Sequence, residues 1–322
     1  MEARILKNKK VLVTGGNGFI GSHIVSRLIK YGCEVFAVVR DTSDLWRLDE
    51  VKDSINMITI DVRDNEAVSL CMGKIKPDYV FHMAAYGVDS RQKNYVTAAE
   101  TNLIGTLNIV MAAGLVGCEK LLNTGTSMQY GNKPCAIKEE DYYDPTNIYG
   151  STKGAATIIA HQAAAEYNLD IATIIPFGVF GEKEGSHKFF PHVILSALED
   201  GEISLSPCEQ YRDYCYIENI IDGFVMAAVN KEFRNEIFNI GSGNVFKLRH
   251  YVKLIMKRFE SGKEVCYGAV EYRKNDLWSP QPDLTKIRAK LEWEPKVGLE
   301  EGIDRTVEWF RENHEKYSVK GR

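Results

Sequence analysis

The sequence predicts an α/β protein in which a doubly wound parallel sheet carries a smaller C-terminal lobe. Three observations lead there. Short apolar runs alternate with amphipathic stretches through the first half of the chain, a pattern that builds βαβ units with right-handed crossovers. The runs are rich in Val, Ile and Leu and lack polar alternation, as strands buried on both faces do. A glycine-rich turn, Gly15-x-x-Gly18-x-x-Gly21, joins the first run to the first amphipathic stretch.

Taken in order, the expected strands are Lys10 to Thr14, Glu34 to Arg40, Asn56 to Ile60, Tyr79 to His82, Lys120 to Asn123 and Ile171 to Ile175. Helical patterns lie between them at Ile20 to Lys30, Ala98 to Val116 and Tyr149 to Tyr167. This is a Rossmann-type arrangement. After Pro176 the pattern loosens into a glycine-bounded loop with one helix, then a helix at Asp222 to Val229. A strand at Glu236 to Ile240 and helices at Leu248 to Phe259 and Leu299 to Asn313 follow. The expected division is a dinucleotide-binding domain over 1–176 and a mainly substrate-binding lobe over 177–322, with segments near 213–240 returning to the first. No repeat or linker interrupts the chain, so the lobes should share a broad interface.

Composition narrows the function. The 322 residues are 44% apolar and 26% charged, an ordinary globular balance. A net charge of -4 offers no case for nucleic acid or an anionic membrane, so any phosphorylated ligand must be held locally. Cys33, Cys71, Cys118, Cys135, Cys208, Cys215 and Cys266 include no Cys-x-x-Cys pair, which suits reduced thiols. The basic start gives way to Thr14-Gly15-Gly16 too soon for a signal peptide. No run reaches the ~20 apolar residues of a membrane span. The expected location is the cytoplasm.

The glycine turn has the context of a dinucleotide site: a strand before it and a helix after. Small residues let Gly15, Gly18 and Gly21 approach a pyrophosphate, and the helix start at Phe19 and Ile20 offers unpaired N–H groups and a positive dipole end. The second strand ends Val38-Val39-Arg40. An NAD site normally has an acid there for the ribose 2′-OH; Val39 takes that place, and Arg40 suits a 2′-phosphate. The alternative is that Arg40 is a solvated strand end with its guanidinium over the adenine; NADP(H) is favoured over NAD(H). Asp61 and Val62 are expected at the adenine edge. Ala84 and Ala85 let the chain pass the cofactor, with Pro176 at the end of the sixth strand. His82 closes a buried strand without metal-like partners and reads as structural.

Tyr149 and Lys153 lie one helical turn apart on one face. A nearby lysine favours the phenolate and lowers a tyrosine pKa that starts near ~10. Such a tyrosine can pass a proton to or from an alcohol while a hydride moves to or from a nicotinamide. The pair points to an oxidoreductase-type site.

The glycine spacing is typical of the short-chain dehydrogenase/reductase superfamily, and the chain resembles its extended, nucleotide-sugar epimerase/dehydratase group. Further matches are Asp61-Val62, His82-Met83-Ala84-Ala85, Asn102 within Thr101 to Thr106, Thr126 to Gly131, Tyr149 with Lys153, Arg212-Asp213-Tyr214 and Phe238 to Gly243. The resemblance implies a nucleotide-diphosphate sugar substrate and a homodimer through the helices at 98–116 and 149–167. It implies Tyr149 as acid/base, Thr126 on the C4 oxygen, Lys153 on the nicotinamide ribose, and Asn102 bracing the helix near Lys153. It places Arg212 and Arg273 as the diphosphate clamp, although both could be surface arginines in ordinary ion pairs. Lys188, Phe189 and Phe190 fall near the base and phosphates. The 4,6-dehydratases of the group carry Asp-Glu immediately after that Thr; here Ser127-Met128 stands instead, which speaks against elimination.

Two short stretches, Ala85-Tyr86-Gly87 and Tyr267 to Asp276, look most like CDP-abequose and CDP-paratose synthases, and add Tyr86 to the expected substrate contacts. The expected activity is NADPH-dependent reduction of a nucleotide-linked 4-keto-6-deoxyhexose. The alternatives are a 4-epimerase with retained cofactor and, from another class, a non-catalytic dinucleotide sensor.

Overall fold

The computed structural model describes residues 2–89, 91–199, 202–259, 263–272 and 276–318. Its strands are β1 (Lys10–Thr14), β2 (Glu34–Val39), β3 (Asn56–Thr59), β4 (Tyr79–His82), β5 (Lys120–Thr124), β6 (Ile171–Pro176), β7 (Gly178–Phe180), β8 (Ile203–Leu205), β9 (Tyr211–Tyr216), β10 (Glu236–Ile240), β11 (Val245–Lys247) and β12 (Val265–Tyr267). Seven of them form one sheet in the order β10-β6-β5-β4-β1-β2-β3, every pair parallel. This is a Rossmann-like α/β fold.

The pleat of β1 sorts the core. Val11 and Val13 pack on one face with Ile24, Leu28 and Phe224, while Leu12 packs on the other with Val68, Ile109 and Ala160, as the two-residue period of a strand requires. Helices therefore cover both faces: Phe19–Lys30 and Ile217–Val229 on the first, Asn65–Ile75, Gly105–Leu115 and Ile148–Glu166 on the second. The strand order reverses between β1 and β4, opening a crevice at the carboxyl ends of those strands.

Not every main-sheet strand is buried on both faces. β3 is the sheet edge and is largely exposed, because among the described residues no strand covers its outer side. Beyond β6 the chain forms two small sheets, β11-β9-β7 and β12-β8, with the helices Phe189–Leu198 and Leu248–Met256 beside them. β10 returns to the main sheet, with Glu236 opposite Ala172 and Ile240 opposite Pro176. Among the described residues no helix is long and apolar enough to cross a membrane, and the seven cysteines are free thiols.

Candidate active site

The crevice begins at the glycine turn. Gly15 has φ +63, and a Cβ there would lie 2.8 Å from the Ala84 nitrogen. The loops after β1 and β4 thus touch backbone to backbone. A Cβ on Gly21 would overlap the Gly15 carbonyl oxygen, so the helix can start this close to β1 only without one. Gly18 is the N-cap of the helix Phe19–Lys30 and supplies no side-chain cap. The first helical N–H groups, at Phe19, Ile20 and Gly21, have no intrahelical acceptor and face a cradle that side chains would fill. Those features fit the diphosphate of a dinucleotide.

At the other end of that crevice edge, Val39 is buried at the end of β2. Arg40 is exposed, and its backbone N–H donates to Ser43 Oγ at 3.0 Å. Asp61, after β3, is gripped by Arg63: Nη2 donates to Oδ2 at 2.8 Å and Nε reaches both oxygens at 3.1 Å. Arg63 first, and Arg40 more weakly, hold the Asp61 carboxyl below its usual range. Val62 beside it is buried. Sequence reasoning did not single out Arg63, which needs only its two-residue spacing from Asp61 to close this pair.

Below the crevice runs a buried polar relay. The Thr14 hydroxyl meets His82 Nδ1 at 2.7 Å, and His82 Nε2 meets Thr106 Oγ1 at 3.0 Å. The Thr106 hydroxyl donates to the Asn102 carbonyl at 2.6 Å. Burial, then the Lys153 charge, pushes His82 down to about 3, so a neutral, doubly bonded imidazole ties β1 and β4 to the helix carrying Asn102. That helix departs from α geometry: Glu100–Ile104 is a π turn between Tyr95–Ala99 and Gly105–Leu115, a feature frequent at functional sites. Asn102 is fully buried there. Its amide grips both backbone groups of Tyr86 at 2.8 Å and donates to Thr152 Oγ1 at 2.9 Å. Asn102 therefore joins the loop after Ala84 and Ala85 to the helix Ile148–Glu166. Thr14, Thr106 and Thr152 carried no sequence signal beyond being threonines.

Tyr149 and Lys153 lie in that helix, whose N-cap Asn147 accepts the Gly150 N–H at 2.8 Å. Thr126 lies opposite, the extended N-cap of a one-turn 3-10 helix Ser127–Gln129, with its Oγ1 accepting the Met128 N–H at 3.3 Å. The Tyr149 ring also backs onto Gly87, where a Cβ would be 3.3 Å from it. Lys153 is 1% exposed, and burial lowers its ammonium to about 8. The expected depression of the Tyr149 pKa by Lys153 is not what the structure has. Burial pushes the Tyr149 phenol up to about 12, and a hydrogen bond with Thr126 is what pulls it back. At neutral pH the pair is a neutral phenol and an ammonium.

On the C-terminal side, Arg212 donates to Asp276 Oδ1 at 2.5 Å and to the Tyr211 carbonyl at 2.7 Å. Gln210 donates to the other Asp276 oxygen at 2.7 Å. Lys188 caps the helix Phe189–Leu198 and reaches the Val88 carbonyl at 2.7 Å, linking that helix to the loop after Tyr86. Phe189 stacks on Tyr214, centroids 6.1 Å apart; Phe190 is buried against Phe180. Pro176, closing β6 opposite Ile240, is buried. Arg273 lies outside the described residues.

A glycine turn built for a dinucleotide, and a Tyr and Lys facing a Thr across the crevice, meet a clear counterpart among known proteins. Residues 11–241 match the NAD dependent epimerase/dehydratase family. The chain belongs to this family. UDP-glucuronate 4-epimerase of Thermodesulfobacterium geofontis is 30% identical over 94% of this chain and 97% of its own length. The solved UDP-glucose 4-epimerase of Thermotoga maritima, with UDP-glucose, superposes with a TM-score of 0.88 at 29% identity, covering 95% of this chain and 99% of that one. The Thermus thermophilus UDP-glucose 4-epimerase complex with NAD gives 0.85 at 28% identity, over 94% and 99%. The chain is thus an enzyme of the nucleotide-sugar epimerase/dehydratase group.

Proposed function

We propose that this family member is an NADPH-dependent 4-ketoreductase of a nucleotide-diphosphate 4-keto-6-deoxyhexose. The proton chemistry rests on Thr126, Tyr149 and Lys153. A phenol held neutral near pH 7 can give its proton to the C4 oxygen, turning the carbonyl into an alcohol as C4 gains a hydride. A nicotinamide bound in the crevice supplies that hydride. Thr126 holds the same oxygen, and the Lys153 ammonium holds the nicotinamide ribose and offsets negative charge on Tyr149 as the proton leaves. Gly15, Gly18, Phe19, Ile20 and Gly21 take the cofactor diphosphate; Asp61, Val62, Ala84, Ala85, Asn102 and Pro176 line its course. Arg212 takes the sugar diphosphate, exchanging part of its Asp276 contact for it, with Lys188, Phe189 and Tyr86 beside the substrate. Ser127 and Met128 offer no carboxylic acid for elimination of water.

The observation that carries the choice of reductase is Val39-Arg40 at the end of β2, where an apolar side chain replaces a ribose acid and a guanidinium follows. A cell's NADPH pool favours net reduction. One observation favours a second reading: relatives similar over nearly the whole chain are named as 4-epimerases of UDP-sugars. The same residues would then take the C4 hydroxyl proton while a retained nicotinamide accepted the hydride, and both would return to the other face once the keto sugar had turned over within the site. The deciding experiment offers dTDP-4-keto-6-deoxyglucose with NADPH, and separately UDP-glucose with no added reductant. Stoichiometric NADPH oxidation in the first arm is expected. A C4 epimer in the second, without net absorbance change at the nicotinamide band, would replace the reductase with the epimerase.

A homodimer is also part of this proposal. Val96, Leu115 and Ile158, on the helices flanking the site, are 67%, 69% and 63% exposed, apolar side chains that a four-helix contact would cover. Ile158→Glu is expected to give a monomer in light scattering; a wild-type protein already monomeric would remove the dimer.

A further inference from the structure

Thr126 owes its orientation to a residue that nothing in the proposed chemistry uses. Gln129 is fully buried, which is costly for an amide, the more so as its Nε2 has no hydrogen-bond partner among the described residues; the amide acts through its oxygen. Its Oε1 accepts the Thr126 N–H at 3.4 Å and the Thr157 hydroxyl at 3.5 Å. The single proton of that hydroxyl is shared with the nearer Lys153 carbonyl at 3.1 Å, so one amide oxygen meets both the Thr126 turn and the turn that follows Lys153. The wedge is tight. A Cβ on Gly125 would come 3.3 Å from Oε1, and one on Gly154 would come 3.3 Å from the Gln129 Cβ.

The Thr126 and Gln129 side chains form a reciprocal capping box. Such a box ordinarily stabilises the start of an α-helix. Here the helix is a single 3-10 turn of three residues, too short for capping to add helix stability. What the box does instead is fix the threonine. With Oγ1 accepting from Met128 and the Thr126 backbone tied to Gln129, the hydroxyl is left to hydrogen-bond the Tyr149 phenol.

We propose that Gln129 is a positioning residue that sets the Thr126 hydroxyl against the Tyr149 phenol by tying the Thr126 turn to the Lys153 helix. This rests on the proposed roles of Thr126 and Tyr149. Gln129→Leu keeps the volume and removes the acceptor; Gln129→Glu keeps the acceptor.

The test uses protein labelled with 13Cζ-tyrosine, the Tyr149 resonance being assigned by its loss in Tyr149→Phe. At fixed pH that resonance is expected to shift in Gln129→Leu and to return toward the wild-type position in Gln129→Glu. Gln129→Asn, an amide drawn back by one methylene, repeats the measurement where the leucine variant is too unstable. On dTDP-4-keto-6-deoxyglucose with NADPH, kcat is expected to fall about 10–100-fold in Gln129→Leu, the scale of a small misplacement, with KM nearly unchanged. An unmoved Tyr149 resonance in Gln129→Leu or Gln129→Asn overturns the inference, as does a shift that Gln129→Glu fails to reverse. Full turnover in Tyr149→Phe overturns the C4 chemistry instead, leaving the resonance to decide the role of Gln129.

Discussion

Lys153 brings an ammonium to a position that is 1% exposed, and burial lowers its pKa to about 8. The unfolded chain keeps the same proton to ~10.4. Below pH 8 both states are protonated and the native state bears the full cost, about 3 kcal/mol at 1.36 kcal/mol per pKa unit. Between pH 8 and ~10.4 the unfolded chain binds more protons, so this contribution raises stability as pH rises. Lys153→Met should therefore melt above the wild type at pH 7, with the gap closing toward pH 10, while turnover is lost. Calorimetry at the two pH values checks this, and a variant melting lower at pH 7 would show that the ammonium stabilises the fold. The Tyr149–Lys153 spacing was legible because it needs only one helical turn. The direction of the Tyr149 shift was not. It is set by burial among Gly87, Thr126 and the crevice wall, which no local pattern encodes.

The main-sheet strands were legible to within a residue because their apolar runs end abruptly, β1 at Gly15 and β4 at the small residues after His82. Arg40 dropped out of β2 because its N–H turns to Ser43 rather than to a neighbouring strand. The helix Asn65–Ile75 went unread although Asp64 caps it through the Ala67 N–H; an Asx N-cap with Glu66 in the first turn was the available signal. The π turn at Glu100–Ile104 had none; it carries Asn102, buried between Tyr86 and Thr152. The three-residue strands β7, β8, β11 and β12 are too short to show alternation. At the scale of elements the sharpest test is the loop after β4. Gly87 sits at φ +96 against the Tyr149 ring, so Gly87→Ala meets both a backbone cost of about 1–3 kcal/mol and a displaced phenol. A lowered melting temperature with a fall in kcat and little change in KM is expected. A variant with wild-type kcat would mean that the loop does not hold the ring.

Over the whole molecule, a net charge of -4 gives anionic ligands no general attraction, so each phosphate must be captured locally. In the proposed reductase a cofactor diphosphate would meet the helix start at Phe19, and Arg40, exposed beyond β2, would take the third phosphate. That third contact separates the two proposed reactions through the lifetime of the complex. A reductase consumes NADPH at every turnover and must let NADP+ leave. An epimerase regenerates its cofactor and gains nothing by releasing it. The purified enzyme is therefore expected to carry less than stoichiometric nicotinamide after gel filtration and to depend on added NADPH. In Arg40→Ala the Kd for NADPH is expected to rise about tenfold or more. This is the loss of a charge-assisted contact of about 1.5–3 kcal/mol, and the Kd for NADH should barely move. Fluorescence titration of both cofactors reads this directly. Retained NAD in the wild type, or equal losses for NADH and NADPH in Arg40→Ala, would assign Arg40 to the solvated strand end and give the site to the epimerase.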